Sequence, residues 1–246
     1  MNALTGKRAL VTGASRGIGA GIALALAQQG ADVAITYERS ADRAREVVQG
    51  IEAAGRRGLA IQADSAHAAD VRRSVAETAE GLGGLDILVN NAGIARLSPF
   101  ASMSLEDIDA LLAVNIRAAV IASQAVLPYF SEGGRIITIG SNMAERVAFP
   151  GLTVYAMTKS ALVAFTRGLA RELGPRGITA NLVQPGPIDT DLNPADGELA
   201  DVNRSLTALG RYGAPADVAS VVAFLASPAA GYVTGSVVTV DGGYNA

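Results

Sequence analysis

Cysteine is absent from the 246 residues of this chain. Disulfides, thiolate nucleophiles and cysteine-ligated zinc or iron–sulfur sites are therefore excluded, and we predict no metal site. The single histidine, His67, lies in DSAHAADV beside residues typical of a helix start, where we expect a solvated side chain. A serine–histidine hydrolase would have to use this histidine, and no G-x-S-x-G motif accompanies it.

Basic tracts and long apolar runs are also lacking. The net charge is −3, with lysine and arginine scattered among acidic residues, which argues against a nucleic-acid partner. The start, MNALTGKRALVTGAS, lacks the apolar stretch of a signal peptide. The longest apolar candidate, ALLAVNIRAAVIASQAVLPYF, is interrupted by Asn115, Arg117 and Gln124, and a membrane span needs roughly 18 apolar residues. We expect a cytoplasmic protein that does not cross a membrane.

Short β-branched runs alternate with longer alanine-rich helical stretches. Strands that are apolar almost throughout and are joined by helices indicate a parallel sheet covered on both faces. We therefore predict an α/β fold, a Rossmann-type doubly wound seven-stranded parallel sheet in a single domain over 1–246. The predicted strands are 8–12, 32–37, 58–64, 85–93, 134–141, 178–187 and 235–243, and the predicted helices are 17–30, 41–54, 68–81, 105–129, 153–173 and 215–226.

The stretch 185–213 shows no regular pattern. Long irregular segments in compact α/β domains are often lids or binding loops. We expect a substrate lid around 187–212, with a surface excursion of no function as the alternative.

The motif VTGASRGIG follows the first predicted strand and opens the first helix. Its residues Gly13, Gly17 and Gly19 let the backbone approach a pyrophosphate, while the helix N-terminus supplies N–H donors. Glycines also serve tight helix–strand packing, but a position in the first βα unit indicates a dinucleotide site.

The stretch TYERS after the second strand should lie against the adenosine ribose. Glu38 is near the position where an acid binds a ribose 2′-hydroxyl and favours NAD. However, Tyr37 occupies the strand tip, and Arg16 and Arg39 could bind a 2′-phosphate. We therefore favour NADP(H) over NAD(H), with a solvated Glu38–Arg39 pair as the alternative.

Two further segments, NNAG and IGS, end the fourth and fifth strands and should meet the glycine loop. Tyr155 and Lys159 follow one helical turn apart on a shared face. A cation such as Lys159, together with an oxidised nicotinamide, would lower the high pKa of a tyrosine. Ser141 could hold a carbonyl oxygen, and redox chemistry would come from the cofactor. On its own, a helical Tyr-x-x-x-Lys is more often a surface pair.

The order of TGASRGIG, NNAG, AVNIRA, IITIGS, YAMTK and QPGPIDT resembles the short-chain dehydrogenase/reductase family over essentially the whole chain. The resemblance implies that Tyr155 is the general acid/base and that Lys159 binds the nicotinamide ribose and lowers the tyrosine pKa. It also implies that Ser141 positions the substrate and that Asn115 supports a proton relay through Lys159 and water. The residues expected at the cofactor are Gly13, Ser15, Arg16, Gly17, Ile18, Gly19, Tyr37, Arg39, Asp64, Ser65, Asn91, Ala92, Gly93, Tyr155, Lys159, Pro185, Gly186, Ile188 and Thr190.

The leading hypothesis is an NADPH-dependent carbonyl reductase that also runs as an alcohol dehydrogenase on a small ketone or secondary alcohol. VQPGPIDTDLNPADG is similar to biofilm-dispersal mediator proteins, and this favours a cyclic-di-GMP-sensing regulator as an alternative. A 3-oxoacyl-(acyl-carrier-protein) reductase is another; it would need a basic patch, for which Arg96, Arg146 and Arg204 are candidates, unless they are simply solvated.

The substrate pocket and the assembly are the last expectations. An apolar pocket suits an apolar ketone, although the same residues could pack the lid. The family resemblance implies a homotetramer in which the helices 105–129 and 153–173 pair, unless their apolar faces are buried within one subunit. The expected pocket residues are Met143, Val147, Phe149, Leu152, Leu192 and Leu206.

Overall fold

A computed structural model describes residues 2–246 and contains one seven-stranded sheet. All strands pair in parallel, and the sequence order reverses between the first and fourth strands, which confirms the predicted doubly wound sheet. The strands are β1 (Arg8–Val11), β2 (Asp32–Tyr37), β3 (Gly58–Gln62), β4 (Ile87–Asn90), β5 (Arg135–Ile139), β6 (Thr179–Pro185) and β7 (Val237–Val240), in the spatial order β3-β2-β1-β4-β5-β6-β7.

Helices cover both faces of the sheet, because successive strand residues point to opposite faces. Val33 and Ile35 of β2 join the apolar core beneath one helical layer, whereas Ala34 joins the core beneath the other. The first layer contains α1 (Gly17–Gln28), α2 (Ala41–Ala53) and α8 (Pro215–Ala226). The second contains α3 (Ala68–Leu82), α4 (Leu105–Leu112), α5 (Ala118–Val126) and α6 (Thr153–Leu173); α7 (Ala200–Leu206) follows β6.

Two predictions about the helices were wrong in part. The predicted helix 105–129 ends at Val126 and is interrupted by a π-helical segment, Ala113–Arg117. The sequence did not reveal this interruption, because one wider turn leaves the apolar residues close to their helical spacing. The stretch 185–213 is not wholly irregular, since α7 lies within it. Most strands also end earlier than predicted, because their last residues leave the sheet as loops.

By length and mean hydropathy alone, the helical stretch Leu105–Val126 would be able to cross a membrane. A helix packed inside a globular domain meets the same criterion. This one packs against α3 and α6 and carries the buried Asn115, so the fold accounts for part of its apolar character.

Candidate active site

The glycine loop packs directly on the segment that follows β4. Gly13 and Gly17 have positive φ angles of 62° and 57°. A Cβ on Gly13 would lie 2.9 Å from Cα of Ala92, and one on Gly19 would lie 2.4 Å from Nδ2 of Asn91. Since a side chain would meet these atoms, the loop needs glycine for both its conformation and its close approach.

Two threonines that sequence reasoning missed fix this contact. The Thr12 hydroxyl accepts hydrogen bonds from the backbone N–H groups of Asn91 and Ala92, both at 3.0 Å. The Thr36 hydroxyl accepts one from the N–H of Gly13 at 2.9 Å. Each threonine lies near the end of its strand, and that position is the only sequence signal of its role.

The N-terminus of α1 is suited to an anion. Its N-cap residue, Arg16, makes no side-chain cap, and within residues 2–246 the backbone N–H groups of Gly17, Ile18 and Gly19 meet no acceptor. Ser15 precedes them in the same loop. Free donors at the positive end of a helix dipole fit a pyrophosphate, so these residues could hold a dinucleotide cofactor.

The adenosine side of the predicted site contains a cleft of about 460 Å³ whose lining includes Glu38, Arg39 and Asp64. Glu38 and Arg39 form an ion pair at 2.8 Å, in which the Arg39 side chain is 88% exposed. Asp64 accepts from the N–H of Ala66 at 2.8 Å and contacts Nδ1 of His67 at 2.9 Å. His67 itself is exposed at the start of α3, as expected. The half-buried Tyr37 packs on the core, and Ser65 and Ala92 line a small void under the sheet edge.

Lys159 is not a surface residue. It is 5% exposed, its Nζ donates to the carbonyl of Ile139 at 3.1 Å, and Nζ lies 5.8 Å from the ring centroid of Tyr155. Burial lowers the pKa of Lys159 to about 8. The structure therefore excludes the simple surface pair that the Tyr-x-x-x-Lys spacing alone favours.

The electrostatics of Tyr155 differ from the expectation that its pKa is lowered. Within the chain itself, burial is the larger effect and raises the pKa of Tyr155, while a hydrogen bond with Ser141 opposes that shift. The Ser141 oxygen accepts from the N–H of Met143 at 3.1 Å. Ser141 and Tyr155 therefore lie together at the carboxyl end of β5.

Asn115 occupies the middle of the π-helical segment and is buried. Its Oδ1 accepts from the N–H of Ile94 at 2.9 Å, and its Nδ2 donates to the Ile94 carbonyl at 3.0 Å and to the Thr158 hydroxyl at 3.1 Å. Thr158 in turn donates to the carbonyl of Tyr155 at 2.7 Å. Asn115 thus connects the segment after β4 to the helix that carries Tyr155, and Thr158 is a further residue that sequence reasoning missed.

The segment after β6 closes over the glycine loop. The N–H of Asp189 donates to the carbonyl of Gly213 at 2.9 Å, and Ile188 is buried in the core. Thr190 Cγ2 lies 3.3 Å from the Cβ position of Gly17. Pro185 ends β6, and a Cβ on Gly186 would lie 2.6 Å from Cα of Asp241, so this turn is also fixed.

The expected pocket residues do not share one environment. Leu152 is buried, whereas Val147 and Leu192 are more than half exposed. Met143, Phe149 and Leu206 are half-buried.

The three arginines of the expected basic patch are each engaged within the chain. Arg96 pairs with Asp107 at 3.3 Å, and Arg204 pairs with Asp201 at 2.8 Å and stacks on the ring of Tyr212. Arg146 donates to the Tyr244 carbonyl at 2.8 Å and stacks on the same residue's ring. They do not form a basic patch of uncompensated charge.

The doubly wound sheet, the glycine loop at its carboxyl end and the family match described next identify the chain as an NAD(P)-dependent oxidoreductase. A family model described as enoyl-(acyl carrier protein) reductase matches residues 13–245, and the chain belongs to the short-chain dehydrogenase/reductase family.

Relatives of known structure or curated function support this assignment. A short-chain dehydrogenase from Burkholderia cenocepacia J2315, solved in complex with NADP, is 58% identical with a TM-score of 0.98, and the match covers 100% of both chains. The cyclic-di-GMP-binding biofilm dispersal mediator protein of Escherichia coli (strain K12) is 46% identical over 246 residues, covering 100% of both chains. A 3-oxoacyl-[acyl-carrier-protein] reductase of Synechocystis sp. is 42% identical, covering 99% of this chain and 98% of its own.

Proposed function

We propose that this protein is an NADP(H)-dependent carbonyl reductase that also oxidises secondary alcohols. The observation that carries the proposal is the buried Lys159 beside Tyr155 and Ser141; the segment after β4 contacts Lys159 through Gly93 and the glycine loop through Ala92. A buried cation beside a phenol is an arrangement for proton transfer rather than for surface solubility.

A nicotinamide cofactor, when bound, supplies or accepts the hydride. In the reductive direction Tyr155 gives its phenolic proton to the oxygen of the carbonyl that is being reduced, and in the oxidative direction it takes that proton back. Ser141 is proposed to position this oxygen: its own oxygen accepts from Met143, and its hydroxyl hydrogen, which bonds with Tyr155 in the chain itself, can donate to the substrate oxygen instead. Lys159 uses one donor on Ile139 and has two more for a ribose hydroxyl.

Asn115 is proposed to support the return of a proton to Tyr155 through Lys159 and water. Both polar groups of its side chain are engaged with Ile94 and Thr158. We place its contribution to such a relay in its main-chain carbonyl, which lies in the widened turn of the π-helical segment, while its side chain holds the segment after β4.

The preference for NADP(H) rests on two observations. The Burkholderia cenocepacia relative was solved with NADP. In this chain, Arg16 stands at the N-terminus of α1, where a guanidinium suits a phosphate. The proposed cofactor contacts otherwise follow the residues predicted from the sequence.

The decisive variant is Tyr155→Phe, assayed with a panel of ketones and both NADPH and NADH. We expect turnover to fall by at least 10²-fold, since general acid catalysis contributes roughly that much, while cofactor binding followed by fluorescence is retained. Tyr232→Phe is the matched control, because Tyr232 is fully exposed. Unchanged turnover in Tyr155→Phe would overturn the proposed mechanism.

A second candidate is a cyclic-di-GMP-sensing regulator. It is favoured by the full-length similarity to the Escherichia coli dispersal mediator. Calorimetry with cyclic-di-GMP, in the presence and absence of NADPH, tests it: absence of heat at ligand concentrations that saturate a micromolar site would reject this function.

Reduction of an acyl-carrier-protein thioester is supported by the similarity to the Synechocystis enzyme. It is weakened by the internal engagement of Arg96, Arg146 and Arg204. Failure to oxidise NADPH with a 3-oxoacyl carrier protein, while a small ketone is reduced, would remove it.

We also propose a homotetramer in which the helical stretch Leu105–Val126 and α6 pair between subunits. Both expose apolar side chains, among them Leu105, Val120 and Met157. Light scattering coupled to size exclusion measures the mass directly, and a mass of one subunit, 25.0 kDa, would reject the assembly.

A further inference from the structure

One carboxylate oxygen of the segment after β6 contacts two arginines that lie far from it, and from each other, in the sequence. Oδ2 of Asp191, in the segment after β6, accepts from Nη1 of Arg16 at 3.4 Å and also from Nη1 of Arg43. All three side chains are about half exposed. The two arginines, Arg43 foremost, lower the pKa of Asp191, so the carboxylate is charged at neutral pH.

The two arginines lie on the cofactor side of the sheet. Arg16 is the N-cap of α1, directly after the glycine turn, and Arg43 lies in the first turn of α2, which follows β2. Their guanidinium groups therefore flank the end of the site where the adenosine ribose is expected. Arg39, the other basic residue in this region, is instead paired with Glu38.

A phosphate monoester is the anion that best suits two converging guanidinium groups. It carries a charge of about −1.5 to −2 at neutral pH and three acceptor oxygens, whereas Asp191 offers both arginines a single oxygen. Guanidinium donors match phosphate oxygens in pairs, which a shared carboxylate oxygen cannot satisfy.

Arg16 is already expected at the 2′-phosphate of NADP(H); we propose that Arg43 joins it in recognising this phosphate, and that Asp191 is an exchangeable anion that occupies the two arginines until the phosphate displaces it. Arg43 is then a specificity-determining residue, and Asp191 links the segment after β6 to the identity of the cofactor. The inference rests on the proposed function, because it requires that NADP(H) binds.

Displacement of Asp191 by the phosphate should affect the affinities for NADPH and NADH differently. Breaking the two Asp191 contacts opposes NADPH binding but not NADH binding, because only NADPH carries the displacing phosphate. Removing the charge of Asp191 should therefore tighten NADPH binding and leave NADH binding unchanged. Removing the charge of Arg43 should weaken NADPH binding alone.

The test measures dissociation constants of NADPH and NADH by fluorescence for the wild type, Arg43→Gln and Asp191→Asn. We expect roughly tenfold weaker NADPH binding in Arg43→Gln and about threefold tighter binding in Asp191→Asn, with NADH changed less than about twofold. NADPH binding in Arg43→Gln should also depend less on salt. Arg45→Gln is the matched control, since Arg45 is an exposed arginine on the same helix, paired with Asp42.

Three outcomes would overturn the inference. Equal changes in the dissociation constants of NADPH and NADH in Arg43→Gln would show that Arg43 does not bind the 2′-phosphate. Weaker binding of both cofactors in Asp191→Asn would show that Asp191 contacts the bound cofactor and is not displaced by its phosphate. An Arg43→Gln protein indistinguishable from Arg45→Gln would remove Arg43 from the site. Failure of wild-type protein to bind NADPH would instead refute the proposed function.

Discussion

The substitution Asn115→Ala tests whether this buried amide holds the active site together. It removes the acceptor for the N–H of Ile94, the donor to the Ile94 carbonyl and the donor to Thr158. Each such bond contributes about 1 kcal/mol net, and a buried group left unpaired costs more. We therefore expect a loss of about 3 kcal/mol in the free energy of unfolding.

Urea denaturation followed by circular dichroism measures this loss, with all variants at one protein concentration because association would shift the transition. Asn90→Ala is the matched control. Asn90, the last residue of β4, is also buried, but it makes one well-formed side-chain bond, to Ser123 at 3.0 Å, and a longer one to Thr138 at 3.4 Å. Its replacement should cost about 1 kcal/mol.

Equal losses in the two alanine variants would refute the reasoning, because the extra bonds of Asn115 to Ile94 would then contribute nothing to stability. A loss of turnover without a loss of stability would also contradict it. That result would assign Asn115 a role in the reaction alone.

Two further predictions concern residues around the same site. Gly13→Ala should destabilise the fold by about 2 kcal/mol or more, because the φ of Gly13 is 62° and the added Cβ would meet Ala92. Gly93→Ala should fold normally but weaken NADPH binding, since its Cβ would lie 3.4 Å from Nζ of Lys159. Thermal melting and cofactor titration distinguish the two variants, and equal melting temperatures would contradict the prediction. Lys159→Met tests whether the pKa of Lys159 is lowered to about 8. Between pH 8 and 10 the lysine binds more protons in the unfolded chain than in the folded one, so the wild type should gain stability relative to the variant as the pH rises. A stability difference that does not change with pH would show that the pKa of the lysine is not lowered.

The strand and helix pattern was predictable because it depends on local periodicity. The predicted bounds of α6 and α8 are the observed ones, and all seven strands form. The π-helical segment was not predictable, since a single wider turn leaves apolar residues close to their helical spacing. The helix α7 was missed because its seven residues are too few to establish a period.

The site residues that belong to short sequence motifs were predictable, whereas contacts between residues far apart in the sequence were not. The tyrosine–lysine spacing placed both residues on one helix face, but the burial of Lys159 follows from packing under β5, which spacing does not reveal. Arg43 and Asp191 are 148 residues apart, and their contact exists only because the first turn of α2 meets the segment after β6 at the carboxyl ends of the strands. The effect of burial on Tyr155 likewise required the structure.

The strand order also constrains how the site is made during synthesis. Gly13 is among the first residues translated, yet its contacts come from Ala92, and the bridge from Arg16 to Asp191 needs a segment that follows β6. At roughly 5–20 residues per second, the ribosome needs about 10 to 35 seconds to add the intervening stretch. During that interval the glycine turn can gain its contact with Ala92, but not the contacts of Gly17 with Thr190 and of Arg16 with Asp191. The glycine loop therefore gains its last contacts only after the segment that follows β6 has been made.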